Sequence, residues 1–383
     1  MTEPARHRIL LVTRNLPPLV GGMERLNWHM AAELAKYADV RAIGPAGSAL
    51  LAPESVAIED VRLSPLPRFL INAQWKALCL ARRWRPDLVL AGSGLTAPLA
   101  VLAAKACGAK AAVYVHGLDL TVQQAVYRSV WLPAIRRMDM VIANSQATRK
   151  LAIDAGVAAG RIGIVHPGVD LQTIDPDPQI AADFRARHQL GQHPVLLSVG
   201  RLSRRKGMRE FVADVLPQIV AARPNVMLLI VGDAPKQALH AETQSRESIQ
   251  AVADTHAVGG NIRFLGLISD GELEAVYRAA DVHVFPVQHV PNDPEGFGMV
   301  ALEAAAQGLP TVAYATGGVV DAVSERLSGR LIAPGDVDGM ARAVLDTLDS
   351  GHALRASSME FASAFAWPTF GDNLRLLLGM RHG

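Results

Sequence analysis

The chain has 383 residues, of which 50% are apolar and 19% charged. That is enough apolar material to bury substantial cores, and it excludes a disordered scaffold. At ~100–200 residues per domain the length suggests two domains. No apolar run approaches the ~20 residues needed to span a bilayer. The opening MTEPARHRILLV lacks the layout of a secretion signal. Cys79 and Cys107 make neither a disulfide framework nor a cysteine zinc site. A soluble cytoplasmic protein is the expectation. The net charge of +2 conceals an asymmetry: residues 1–170 hold 20 Lys/Arg against 12 Asp/Glu, and residues 171–383 hold 18 against 24. A basic half joined to an acidic half suggests domains facing different partners: nucleic acid, an anionic membrane or an anionic substrate for the basic one.

Arg8–Thr13 reads as a strand that stops at the Pro/Gly-rich loop Asn15–Gly22. A helix is predicted over Met23–Tyr37 and a strand over Val40–Ile43. Val61–Pro86 then contains no acid and six cations: Arg62, Arg68, Lys76, Arg82, Arg83 and Arg85. With Phe69–Trp84 helical, Leu70, Ala73, Ala77, Leu80 and Trp84 form a core-facing stripe. Ile71, Trp75 and Leu78 form a second apolar strip beside it. A basic helix with a spare aromatic strip suits a membrane interface, and an ordinary surface helix with a wide buried face shows the same pattern. No nucleic-acid-binding motif accompanies the charge. Strands follow at Leu88–Ala91, Ala111–His116 and Met140–Ala143, each succeeded by Gly, Ser or Asn and then a helix. Asn144 and Ser145 read as the cap of a helix over Gln146–Asp154.

The rhythm breaks at Gly168–His193, which contains DPDP at Asp175–Pro178 and reads as a linker. It restarts with a strand at Val195–Val199, a basic loop Arg201–Gly207 and a helix Met208–Ala222. Met227–Val231, Ile262–Leu265, Val282–Pro286 and Thr311–Tyr314 continue the strands. Alternating β and α elements give an α/β fold of parallel sheets with helices on both faces. The expected bounds are 1–168 with a returning helix at about 367–383, and 169–366. Such sheets bind ligands beyond the carboxyl ends of their strands, and the expectation is a cleft between two of them.

Two motifs carry the chemistry. In Pro294–Gly308, Glu295 sits in a loop and Glu303 in the apolar run Val300–Ala306. A carboxylate there is expensive unless something hydrogen-bonds it, and ribose hydroxyls are suitable donors. The helix start at Phe297–Val300 offers free backbone N–H groups to phosphate or sugar oxygens. The bland alternative is a helix with one solvent-facing Glu and one N-terminal Glu. In Gly200–Gly207, GRLSRRKG, Arg201 and Lys206 share a loop at the carboxyl edge of the sheet, where a diphosphate needs positive charge. Arg204 and Arg205 read as solvated. Two D-x-D triplets, Asp336–Asp338 and Asp175–Asp177, are weak as metal sites. The first opens a helix and suits a cap, and no metal is expected.

The ordered set of GG-M-E at Gly21–Glu24, V-H-G at Val115–Gly117, N-S at Asn144–Ser145, GRLSRRKG and E-x7-E resembles the retaining glycosyltransferases of family 4, with the GT-B fold: two Rossmann-like parallel-sheet domains facing across a cleft. The likeness spans nearly the whole chain. It is nearest in character to bacterial mannosyltransferases of envelope-glycan assembly. The resemblance implies that Arg201 and Lys206 hold the donor diphosphate, Glu303 the ribose and Glu295 the donor sugar. It also implies help from the backbone amides of Phe297, Gly298 and Met299. His116 would sit beside the anomeric carbon, Gly21 and Gly22 close to the phosphates, and the segment around Ile268 against the base. By itself His116 reads as a packed strand-end histidine. Asp321 stands where the family more often has Glu, and no role is assigned to it.

The implied reaction moves a hexose from a nucleoside-diphosphate sugar, GDP-linked and mannose-type, to a lipid-linked or growing envelope glycan. No cofactor is implied, and no nucleic acid. Residues 61–86 would dock the protein peripherally on the inner face of the cytoplasmic membrane. A GT-B sugar-nucleotide epimerase and a non-catalytic two-lobed sugar-binding protein are the alternatives. The Arg–Lys loop with E-x7-E argues against the first, and a soluble receptor has no need of the pair.

Overall fold

Short apolar runs that end at a turn-forming residue become thirteen parallel strands among the described residues. The computed structural model describes residues 6–171, 178–234 and 244–380, so the Asp175–Asp177 triplet lies outside them. The chain divides into two compact units, Met1–Gly168 with Trp367–Gly383, and Val169–Ala366.

The first unit holds β1 (His7–Val12), β2 (Ala38–Pro45), β3 (Val56–Val61), β4 (Leu88–Ala91), β5 (Lys110–Val115), β6 (Met140–Ala143) and β7 (Ile162–Ile164). Their order is β3-β2-β1-β4-β5-β6-β7. The second unit holds β8 (Val195–Val199), β9 (Met227–Val231), β10 (Ile262–Gly266), β11 (Val282–Phe285), β12 (Thr311–Tyr314) and β13 (Gly329–Ile332). Their order is β10-β9-β8-β11-β12-β13. Both sheets run parallel throughout, with registers such as Val12↔Ala91 and Val195↔Met227. Central strands are buried on both faces: Val195–Val199 is buried at every residue. This is why they read as unbroken apolar runs.

Three strands escape a reading by apolar runs: β3, β7 and β13. All three are sheet edges, half-exposed, and carry Glu59 and Asp60, Gly163, or Arg330 in place of a continuous run. The helix expected over Met208–Ala222 is also interrupted. Phe211–Val215 adopts a wider π-type turn between helices Met208–Glu210 and Leu216–Ala222. Pro217 has no N–H to continue the regular ladder, and a widened turn absorbs the missing bond.

The helix Leu66–Trp84 buries Phe69, Ala73, Ala77, Leu80 and Ala81. Of the expected stripe, Leu70 and Trp84 are half-buried. The C-terminal helix Trp367–Leu377 belongs to the first unit. It packs on the helix Gly22–Ala35, where His29 stacks on Trp367 at 3.8 Å between ring centroids. Tyr37 donates to Asp372 Oδ1 at 3.0 Å. Phe370 is buried between Trp367 and Tyr114, at 5.5 and 6.3 Å. Its removal leaves a cavity where the helix docks, so Phe370→Ala is expected to cost about 3–5 kcal/mol. Denaturant unfolding of the variant checks this; a loss under about 1 kcal/mol would mean that the helix is held elsewhere.

Candidate active site

The strand order of the second unit reverses between β8 and β11, and ligands of open α/β sheets bind at such a switch point. The loops leaving these two strands carry the strongest motifs. The loop after β8 runs through Arg201 to Gly207. Gly207 adopts a φ of +69°, and a Cβ there would lie 2.1 Å from the carbonyl oxygen of Pro286, just past β11. Glycine is therefore required for the two loops to touch. The Gln288 N–H donates to the Arg205 carbonyl at 2.8 Å, closing the same seam.

Across that seam lies a cluster of four charges. Lys206 Nζ donates to Glu295 Oε2 at 2.9 Å and sits 4.6 Å from the centre of the Phe285 ring. Arg205 Nε lies 3.2 Å from the same oxygen. The Arg205 guanidinium also donates to Asp293 Oδ1 at 2.5 Å and to the Pro294 carbonyl at 3.1 Å. The side chains are only 10–17% exposed. Burial pushes the Glu295 carboxyl up, but Lys206 and Arg205 outweigh it and hold the pKa down at about 2. Burial likewise pulls Lys206 below the usual lysine range, against the opposing pull of Glu295. The expectation that Arg205 is a solvated residue is thus corrected. It is buried because its partners, Asp293 and Glu295, are supplied by a loop 88 residues away, which nothing in GRLSRRKG shows. Arg204 is exposed, as expected, and so is Arg201. Arg201, Lys206, Ser198, Gly200 and Phe285 line a small pocket at the end of β8.

Past Glu295 the loop turns into the helix Met299–Ala306 through Gly298, whose φ is +100°. A Cβ on Gly298 would press on the Phe285 ring at 2.8 Å. Phe297 is buried in the core beneath the loop, and Met299 packs against that core. The Gly318 N–H donates to the Glu295 carbonyl at 2.9 Å, so Gly317–Gly318 forms a turn on this loop. Glu303 is half-buried and accepts from the Tyr277 hydroxyl at 3.1 Å. The donor that an apolar run demands is, in this structure, a buried tyrosine of the helix Asp270–Ala279. Ile268 packs into the core just before Ser269, which caps that helix together with Glu272. Its side chain therefore serves packing. His283, within β11, is a buried group the sequence reading missed. Its Nδ1 lies 3.0 Å from Thr311 Oγ1, and Nε2 has no hydrogen-bond partner. Burial, with Lys206 nearby, lowers its pKa to about 3, so the ring is neutral.

The remaining expected site residues belong to the first unit. Gly21 and Gly22 are exposed at the start of the helix Gly22–Ala35. Glu24, in its first turn, accepts from Asn15 at 2.6 Å. His116 follows β5 and is half-buried, with Nε2 3.0 Å from the Gly92 carbonyl. Its backbone N–H donates to Asp119 at 3.0 Å. Ser145 caps the helix Gln146–Asp154 through the Thr148 N–H. Asp336 accepts from the Gly339 N–H at 2.8 Å and Asp338 from Gln218 at 2.9 Å. These contacts give both carboxylates of the Asp336–Asp338 triplet structural partners, and no cluster of metal-ligating side chains occurs among the described residues.

A doubly wound sheet in each unit, with paired basic and acidic loops at a switch point, is the architecture of the GT-B glycosyltransferases. The comparisons with known proteins agree. Residues 20–173 match Glycosyltransferase Family 4, and residues 181–362 match Glycosyl transferases group 1. A GDP-mannose-dependent alpha-(1-6)-phosphatidylinositol monomannoside mannosyltransferase of Mycolicibacterium smegmatis is 30% identical, over 97% of this chain and 98% of that one. Its counterpart from Mycobacterium tuberculosis is 29% identical, over 96% and 97%. The crystal structure of Anabaena HepE in complex with UDP shares the fold, with a TM-score of 0.81 and 22% identity over 98% of this chain and all of that one. The chain belongs to glycosyltransferase family 4 and is a glycosyltransferase.

The depressed Glu295 has a consequence for acid stability. A carboxyl whose folded pKa lies near 2, against an ordinary 4.5, adds stability above its unfolded pKa and loses it as the pH falls toward the folded one. Glu295→Gln therefore separates from wild type most at about pH 6–7, with the gap closing below about pH 4. Urea unfolding across pH checks this; a gap that stays constant would show that Glu295 is not held charged by its neighbours.

Proposed function

We propose that this enzyme transfers a mannose-type hexose from a GDP-linked donor to a lipid-linked or growing envelope glycan, with retention at the anomeric carbon and without a metal. The observation that carries the reading is the cation–carboxylate cluster of Lys206, Arg205, Glu295 and Asp293 at the switch point of the second unit, with Arg201 exposed in the adjoining pocket. The full-length relatives named as GDP-mannose-dependent support the donor. The retained configuration rests on the resemblance to the family.

In this reading Arg201 and Lys206 bind the diphosphate. The bond between the anomeric carbon and the phosphate oxygen breaks with its electron pair going to the leaving nucleoside diphosphate. An acceptor hydroxyl forms the new glycosidic bond and gives up its proton to the departing phosphate oxygen. Cations placed where that leaving charge develops lower the barrier, which leaves no electrostatic need for a metal. Glu303, already oriented by Tyr277, takes the ribose hydroxyls. Glu295 takes the sugar, assisted by the amides of Phe297, Gly298 and Met299. The base meets the backbone around Ile268. Gly21, Gly22 and His116 serve the phosphates and the anomeric carbon by resemblance. Arg201→Ala or Lys206→Ala is expected to lower kcat by on the order of 10²-fold. Single-turnover kinetics with GDP-mannose measures this, and near-normal kcat in either variant refutes the assignment.

The acceptor side rests on the helix Leu66–Trp84. Ile71 and Trp75 are each 69% exposed, and the neighbouring helix Ala97–Cys107 exposes Leu102. No helix among the described residues is long and apolar enough to cross a membrane. Lys76 and Arg83 lie 3.4 and 4.0 Å from Glu59, so the apolar strip, together with exposed Arg68 and Arg82, supplies the docking in this proposal. The attachment proposed is peripheral, at the inner face of the cytoplasmic membrane, where the resemblance to envelope-glycan enzymes puts the acceptor. Each exposed cation near an anionic surface contributes about 1 kcal/mol, screened by salt. Wild type is expected to co-sediment with phosphatidylglycerol-containing vesicles at low salt, and an Ile71→Ser/Trp75→Ser double variant to lose most of that binding. Equal binding by the two proteins would remove this face from the membrane reading.

A further inference from the structure

Arg205 belongs to the charge cluster, but the reaction scheme gives it no role of its own. We propose that it is a positioning residue: the resident counter-charge of Glu295, which frees Lys206 to turn to the donor diphosphate while Glu295 stays an ionised acceptor for the sugar hydroxyls. The inference rests on the donor-site reading of the preceding section.

Both cations meet the same carboxylate oxygen, but they are held differently. Lys206 reaches Glu295 through one hydrogen bond at the end of a flexible stem, and it lines the pocket together with Arg201. Arg205 is fastened to the loop that carries Glu295 at three further points: Asp293 Oδ1 at 2.5 Å, the Pro294 carbonyl at 3.1 Å and the Gln288 N–H on its own carbonyl at 2.8 Å. Arg205 Nε makes no aligned hydrogen bond to Glu295, so at 3.2 Å its hold is one of charge. The mobile cation is therefore Lys206 and the fixed one Arg205.

The charge balance makes the fixed cation necessary. Arg205 and Lys206 neutralise Asp293 and Glu295. A diphosphate that captures Lys206 leaves Glu295, 10% exposed, facing burial. A buried carboxylate without a counter-charge has its pKa raised and takes up a proton as the pH falls. A protonated Glu295 is a poor acceptor for sugar hydroxyls. The groups facing Glu295 are Arg205, Lys206 and, farther off, Arg201 from the loop after β8, with Asp293 beyond Arg205 on its own loop. The packed turn 316–318 brings no titratable side chain. His283, within reach of the Lys206 charge, is neutral.

The test is calorimetry with a sugar nucleotide and with its own free diphosphate at pH 5 and pH 7. The donor is whichever of GDP-mannose and UDP-glucose the wild type binds. The readout is the gain in affinity contributed by the sugar, corrected at each pH for protonation of the free diphosphate's terminal phosphate, which titrates at ~6 and which the sugar nucleotide lacks. In wild type the gain is the same at both pH values. In Arg205→Gln it falls about tenfold or more from pH 7 to pH 5, as Glu295 protonates. Affinity for the free diphosphate also falls in Arg205→Gln, because Lys206 is then the one adjacent counter-charge of Glu295; the gain from the sugar compares two ligands that both draw Lys206 away, so that loss cancels from it. Asp293→Asn cuts the tether but keeps the Arg205 charge, and Arg205→Lys keeps the charge without the fork; both leave the gain independent of pH. A pH-independent gain in Arg205→Gln overturns the proposal. So does an equal loss in Asp293→Asn, which would make Arg205 a loop tether. Should Arg205→Gln fail to fold, a pH-dependent gain in Arg205→Lys overturns it. Glu295→Gln separates the two levels. A wild-type gain in that variant, or a wild type that binds neither donor, rejects the donor-site reading itself.

Discussion

One buried carboxylate organises the second unit. Glu295 sits at the end of a sheet with one tenth of its side chain exposed, where burial alone would make it take up a proton. Two adjacent cations reverse that outcome and hold it near pKa 2. The neighbouring loops are shaped around this arrangement. Gly207 lets the basic loop touch the chain after β11, Gly298 lets the acidic loop turn over Phe285, and Gly318 fastens the Glu295 carbonyl. Replacing a buried ion pair by apolar residues is often neutral or stabilising, so the cluster is a poor device for stability alone. It lies instead at the switch point, the place where open α/β sheets bind their ligands.

The two glutamates of the E-x7-E element solve the same burial problem with different partners. Glu295 has cations and is fixed as an anion. Glu303 has a neutral hydroxyl, Tyr277, on one oxygen at 3.1 Å. A hydroxyl donor orients a carboxylate without consuming its charge, and a carboxylate has about four acceptor sites. Glu303 is thus oriented by a neutral donor, whereas Glu295 is held by cations. The same spacing on one segment therefore places two carboxylates in different electrostatic surroundings.

The fold was largely legible in the sequence because central parallel strands are buried on both faces and announce themselves as apolar runs. β4, β6, β8, β9 and β12 coincide with such runs residue for residue. The edge strands β3, β7 and β13 were not legible, since an edge needs no continuous run. The helix after Gly207 was legible in extent but not in its π-type turn, which follows from Pro217. At the site, Arg201, Lys206, Glu295 and Glu303 were legible because their types and spacing are local. Arg205, Tyr277 and His283 were not, because each is defined by a partner far along the chain: Asp293, Glu303 and Thr311. One signal was available for Arg205. In ArgArgLysGly, two adjacent side chains of a tight turn can reach one facing acid only when that acid lies on a neighbouring loop, and NDPEG offers two acids two residues apart.

The contrast between Arg205 and Lys206 shows what residue type contributes. Arginine carries several donors in a rigid fork and can serve two carboxylates and a carbonyl at once. Lysine is a point charge on four rotatable carbons and can move several ångströms at low cost. Exchanging the two residues would put the flexible cation on the tether and the rigid one on the pocket. Net charge and composition would be unchanged, yet the cluster would lose the difference between a cation held at several points and one held to the carboxylate by a single hydrogen bond. The order Arg-then-Lys matters more than the basic character of the loop, because the turn at Gly207 points the first side chain along the neighbouring loop and leaves the second at the mouth of the pocket.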